Sequence, residues 1–207
     1  MGLYKGPSCK LCRREGVKLF LKSDRCDTPK CAIARRAYAP GQHGPTHRGK
    51  MSEYGIRLRE KQKLKRYYNV SESQLGRYFS VANKMHGDTG EELLQLLERR
   101  FDNFIYRTGL VDTRRQARLL VKHGHFLVNK KPVDIPSFIV KVGDAISITE
   151  KSIKTFQPHL EKVSKKSAVS WLNVSVEAND YVFTRIPVRE EIDVPVNEQL
   201  IVEFYSR

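Results

Sequence analysis

Two close pairs of cysteines, Cys9-x2-Cys12 and Cys26-x4-Cys31, stand thirteen residues apart and account for every cysteine of the 207-residue sequence. Thiolates at this spacing suit tetrahedral coordination, because each pair makes a knuckle with two ligands and the spacer lets the knuckles meet. The bland alternative is four buried thiols, but this segment has few apolar residues in which to bury them. A disulfide framework needs an oxidising compartment, and the opening Met-Gly-Leu-Tyr-Lys-Gly-Pro has no apolar secretory core. Four protein thiolates leave no open position, so the expected site is structural: one zinc ion, with an iron–sulfur cluster on the same residues as the alternative. Arg13, Arg14, Lys18, Lys22, Arg25 and Lys30 lie among the pairs. Cations there lower thiol pKa, offset the charge of a four-thiolate centre and reach for phosphate.

Arg114-Arg115-Gln116-Ala117-Arg118, followed by Lys122-His123-Gly124-His125, is a second constellation. On a helix, Arg114, Arg118 and Lys122 recur every four residues, opposite Ala117, Leu120 and Val121. A solvated face would explain it; so would a basic helix and tight turn gripping RNA phosphates with guanidinium forks. His123 and His125 have no third ligand nearby, so polar contacts at a turn are expected of them rather than metal binding. Tyr54, Tyr67, Tyr68 and Tyr78 interleave with basic residues, where they could stack on bases or pack between helices.

The net charge is +15, and it is unevenly spread. Residues 1–70 carry 18 Lys and Arg against 5 Asp and Glu, residues 71–167 carry 17 against 11, and residues 168–207 carry 3 against 7. Such a basic head points to nucleic acid. No uninterrupted apolar run has the ~18 residues of a membrane helix, so a cytoplasmic protein without a membrane partner is expected. No Gly-x-x-x-x-Gly-Lys-Ser/Thr loop, paired-carboxylate site, Ser/His/Asp set or open metal site stands out, which argues against an enzyme and against a small-molecule substrate.

The elements that would position these residues change character along the chain. Residues 1–50 read as an extension, with Pro40, Gly41, Gly44 and Pro45 excluding regular structure. A basic helix follows over residues 56–68. Ser71-x-x-Gln74, Thr89-x-x-Glu92 and Thr113-x-x-Gln116 fit capping boxes that start three more helices. The helix from Thr89 is expected to run through Leu93, Leu94, Leu97, Phe101, Phe104 and Ile105 to a stop at Gly109. Strands are expected at 126–129, 139–142, 145–148, 172–176 and 181–186, in a mostly antiparallel sheet. Residues 151–166 read as a loop or short helix, and Asn197 as the cap of a final helix, with a strand as the alternative.

Leu97-Glu98-Arg99-Arg100-Phe101-Asp102-Asn103-Phe104-Ile105-Tyr106-Arg107-Thr108-Gly109, with 113–118, 121–125 and Val128-Asn129, resembles the S-four-type RNA-binding domain. Ala39-Pro40-Gly41-Gln42-His43-Gly44, Tyr54-Gly55, residues 58–63 and the ending 196–207 extend the resemblance over nearly the whole chain, to the bacterial small-subunit ribosomal protein S-four family. It departs at Asn129-Lys130-Lys131, where the family's turn reads Asn-Gly, which leaves the turn type open. Some members of the family keep four cysteines, which would set this chain in a metal-bearing branch.

The resemblance implies an α+β fold in three parts: a basic metal-binding extension (1–50), a helical domain (51–93 completed by 187–207) and an inserted S-four-type domain (94–186). It implies a noncatalytic structural protein that binds small-subunit ribosomal RNA, nucleates 5′-domain assembly and contributes to accuracy near the messenger entry channel. Small-subunit proteins S-five and S-three would be its neighbours, and messenger RNA a further partner. An RNA-modifying or stress-response protein using the same module, or a zinc-dependent DNA-binding regulator, are the alternatives. The RNA-binding candidates are Arg13, Arg14, Arg35, Arg36, His43, Arg48 and Lys50 in the extension. In the basic helix they are Tyr54, Arg57, Arg59, Lys61, Lys63, Lys65 and Arg66. In the inserted part they are Arg100, Arg107, Arg114, Arg115, Gln116, Arg118, Lys122, His123, His125 and Lys130. Glu190, Glu191, Asp193, Glu198 and Glu203 would pair with the basic helix or face another protein.

Overall fold

Side-chain caps set most helix starts. In a computed structural model, which describes residues 4, 6–46, 50–163, 169–175 and 179–206, Ser52, Ser71 and Thr113 each accept a hydrogen bond from the backbone N–H three residues on. They open α3 (Glu53–Tyr67), α4 (Glu72–Ala82) and α7 (Arg114–Lys122). The helix expected from Thr89 is capped one residue earlier: Asp88 Oδ1 accepts from the N–H of Glu91 at 2.9 Å. It is also two helices, α5 (Thr89–Glu98) and α6 (Phe101–Arg107). The break falls at Arg100, whose ψ of 137° is extended. There the N–H groups of Phe101 and Asp102 donate to the carbonyls of Phe138 and Pro136, and that of Val140 to Arg99. These bonds explain why the strand expected at 139–142 is a single bridge, Arg100 to Ile139.

The chain divides into two compact units, Met1–Leu93 with Asp193–Arg207, and Leu94–Ile192. The return crossing is at 192 rather than 186. Arg185 pairs with Glu191, and Ser170 Oγ donates to the same carboxylate, which ties residues 188–191 to the strands.

The first unit begins with α1 (Ser8–Glu15), a short 3-10 turn at Ser23–Cys26 and α2 (Ala32–Arg35). Gly44 closes a turn in the loop that follows: a Cβ there would lie 2.0 Å from the carbonyl oxygen of Ala39. α3 is the hub. Its Leu64 and Tyr67, with Tyr68 just beyond its end, are buried, as are Leu75, Phe79 and Ala82 of α4 and Ile201 of a last helix, called α9 below (Glu198–Tyr205). The helix expected at the C-terminus therefore forms: Asn197 caps α9 by accepting from Gln199, and Tyr205 stacks on Phe79 at 4.5 Å. Burial of rings of this size is worth about 1.5–3 kcal/mol each.

The second unit packs α6, α7 and α8 (Glu150–Val163) on a five-stranded antiparallel sheet of order β2-β1-β3-β5-β4. The strands are β1 (Phe126–Val128), β2 (Lys131–Pro132), β3 (Ala145–Ile148), β4 (Leu172–Ser175) and β5 (Asp180–Phe183). Ile146 and Ile148 alternate inward on β3. Phe101, Phe104, Phe126, Phe156, Trp171 and Phe183 form the aromatic centre of the core. Gly124 joins α7 to β1 at φ +72°, a left-handed turn that a β-carbon resists. Among the described residues no helix is long and apolar enough to cross a membrane.

Candidate nucleic-acid interface and cysteine cluster

Cys9 and Cys12 lie on α1, Cys26 ends the 3-10 turn and Cys31 precedes α2. All four are free thiols and line one cavity, together with Ser8, Leu21, Lys22, Arg25, Ala32 and Ile33. Cys12, Cys26 and Cys31 are buried and Cys9 is half-buried. Among the described residues no three His, Cys, Asp or Glu side chains form a closed ligand set as they stand. The convergence shows in the electrostatics. Burial pushes the Cys12 thiol up, a backbone hydrogen bond at Leu19 opposes it, and nearby Cys26, Cys9 and Cys31 push it further. Cys26 is likewise raised, by burial first, with Cys31, Asp27 and Cys9 adding to it. The four thiols thus share one cavity with Lys22 and Arg25 without closing into a ligand set among the described residues.

The basic helix α3 is engaged within its own unit. Arg57 donates to Glu203 at 2.6 Å and Glu53 at 3.2 Å, Lys61 and Lys65 pair with Glu72, and Lys63 pairs with Glu60. Arg59 and Arg66 both pair with Glu15, whose side chain is fully buried at the end of α1. Burial pushes the Glu15 carboxyl up, and Arg66, Arg59, Lys63 and Arg14 pull it back. Burial also pushes the Glu72 carboxyl up, but the ammonium groups of Lys61 and Lys65 leave it below its ordinary range. The wide basic face expected of α3 is therefore mostly spent on holding α1, α4 and α9. Tyr54 is exposed, with its ring 5.7 Å from Phe204.

In the extension, Arg13 donates to the carbonyls of Tyr38 and Ala39 and lies over the Tyr38 ring, fixing the loop to α1. Arg14, Arg35, Arg36, His43 and Lys50 are exposed. Arg48 lies outside the described residues.

The second unit sorts its arginines by depth. Arg100 has no exposed surface and forks onto Asp102 at 3.0 and 2.7 Å, so the phosphate contact expected of it is replaced by a structural pairing. Arg114 is turned inward as well: its Nε donates to Asn103 Oδ1 at 2.7 Å and its guanidinium lies 4.2 Å from the Tyr106 ring. Asn103 in turn donates to Glu98, which also receives a bidentate Arg107. Arg118 reaches Asp102 at 3.6 Å from the rim of this network. Glu98, Asp102 and Asn103 went unmarked in the sequence because they sit inside an apolar helical pattern, where a buried carboxylate is unexpected. Outside the network Arg115, Lys122, His123 and Lys130 are exposed and Gln116 is half-buried. His125 Nδ1 lies 2.8 Å from Ser152 Oγ, so this histidine braces α8 against the start of β1.

The acidic candidates divide too. Glu203 pairs with Arg57, and Glu191 with Arg185, which holds the Glu191 carboxyl down at about 2. The Asp193 carbonyl accepts from Tyr67 Oη at 2.6 Å. Glu198 packs beside Gly90, and Glu190 is exposed.

Two family models match the chain: the ribosomal protein S4/S9 N-terminal domain over residues 3–98 and the S4 domain over residues 99–146. Curated relatives align over the full length of both chains. They include the small ribosomal subunit protein uS4 of Caldicellulosiruptor bescii, 56% identical, of Acetivibrio thermocellus, 54% identical, and of Thermus thermophilus, 51% identical.

Proposed function

The chain belongs to the uS4 family of ribosomal proteins, and on that premise we propose that it is a noncatalytic structural constituent of the cytoplasmic small ribosomal subunit, binding its RNA. The observation that carries this reading is full-length identity of about half to relatives bearing that name. The sorting of cations supports it. Arginines paired with carboxylates brace each unit, whereas Arg14, Arg35 and Arg36 in the first unit and Arg115 and Lys122 in the second stand at the surface, where phosphate can displace their counterions. The finer parts of the proposal are nucleation of 5′-domain assembly, a contribution to accuracy near the messenger entry channel, and S-five and S-three as protein neighbours. Cys9, Cys12, Cys26 and Cys31 would hold one structural zinc ion, or an iron–sulfur cluster in its place, supplying a cross-link to an extension with little core of its own.

The test is binding of purified small-subunit RNA across a salt series. Arg115→Ala with Lys122→Ala removes two exposed charges and should weaken binding about 30-fold near 0.15 M salt, with thermal stability unchanged. Wild-type binding that is indifferent to salt would overturn the proposal.

A further inference from the structure

The turn between β1 and β2 has an unusual residue at its tip. Val128 pairs with Lys131, so Asn129 and Lys130 form a two-residue hairpin loop, and both have positive φ, +49° and +66°. A loop of this kind favours Asn followed by Gly, because the second residue must be left-handed and glycine alone meets that at no steric cost. Asn129 is suited to its place. Its amide donates to Asp144 Oδ1 at 2.8 Å and its Oδ1 accepts from the N–H of Ala145 at 3.0 Å. Lys130 is not: its side chain is exposed, and among the described residues no ion pair involves it.

The same end of the sheet presents Lys131 and Lys141, also exposed. The nearby carboxylate of Asp144 is turned onto Asn129 and the N–H of Lys141, the latter at 2.7 Å. Among the described residues, none of the ion pairs involves these three lysines. A cationic side chain is thus held in a strained backbone, on a two-residue turn, at an end of the sheet that presents two more cations and where the carboxylate of Asp144 is engaged by Asn129 and a backbone N–H. Strain of this kind persists where a side chain has a use.

We propose that Lys130, Lys131 and Lys141 form an RNA phosphate-contact site at this end of the sheet, and that Lys130 replaces the conformationally suited glycine for the sake of its charge. The proposal rests on the ribosomal RNA-binding reading above and adds a site to it.

Lys130→Gly separates the two effects. It should raise the denaturation midpoint read from Trp171, the chain's one tryptophan, by about 4 °C or more, because a left-handed β-carbon is removed. It should also weaken binding to purified small-subunit RNA about fivefold near 0.15 M salt and lower the salt slope by roughly 0.7–0.9. Lys131→Gln with Lys141→Gln should lower the slope by about twice as much with no gain in midpoint. A Lys130→Gly protein that is more stable yet binds with unchanged affinity and slope overturns the proposal, and so does one that gains no stability. If the wild-type chain itself shows no salt-dependent RNA binding, the functional reading falls first, before the turn is in question.

Discussion

Glu98 is the residue on which the inserted unit should be most sensitive. Its side chain has no exposed surface, takes a bidentate Arg107 at 2.7 and 2.8 Å and accepts from Asn103 at 2.7 Å. Glu98→Ala leaves the Arg107 guanidinium, only 11% exposed, without its carboxylate, and Asn103 without one acceptor. Removing one partner of a buried ion pair costs about 3–5 kcal/mol. Arg107 stands near the rim and can regain some water, which sets the expectation at about 3 kcal/mol. In a domain of this size 1 kcal/mol moves the midpoint by about 4–8 °C, so the loss should be about 12 °C or more. Trp171 is a suitable reporter, because it is buried against Phe183 in the same core and no other tryptophan contributes. Arg107→Ala should cost a comparable amount, and the double variant less than the two together, since neither charge is then stranded. A shift below about 4 °C for Glu98→Ala would refute the view that this pairing organises the unit.

Two further outcomes are expected. Protein purified without oxygen should carry one zinc per chain by elemental analysis; Cys9→Ser with Cys12→Ser should lose it and speed amide exchange across residues 6–46 while leaving the Trp171 transition in place. Iron with sulfide in zinc's stead would favour the cluster, and neither metal would refute the site. The Glu191 carboxyl is held at about 2 by Arg185, below its ordinary value, so the stability it contributes is present above about 4.5 and is lost as pH falls towards 2. Urea unfolding of Glu191→Gln, followed at Trp171 between pH 2 and 7, should show a flatter acid limb than wild type, and an unchanged limb would refute the linkage.

Much of the fold was legible in local chemistry. Ser71 and Thr113 announce their helices because a hydroxyl three residues before an early N–H has a specific bond to make. The break at Arg100 was not legible, since it depends on backbone bonds to Phe138 and Pro136, far away in sequence. The two-residue strand at Lys131-Pro132 was missed for a similar reason: only its pairing to β1 defines it. At the candidate interface, sequence located the basic segments but not which cations face outward. Arg114 and Arg115 are neighbours of one type, yet a helix turns them about 100° apart, one onto Asn103 and the other to solvent. The pairing of Arg59 and Arg66 with Glu15 was equally hidden, because it joins the extension to α3 across more than forty residues of sequence.

The discontinuity of the first unit has a consequence for the order of events during synthesis. α3 emerges early, but Glu203, which pairs with Arg57, and Tyr205, which stacks on Phe79, are made only after the whole of residues 94–192. The inserted unit has all of its own parts by residue 192 and can fold while α9 is still to come. The first unit therefore closes last, and until it does Arg57 lacks the carboxylate, and Lys61 the aromatic rings, that α9 brings.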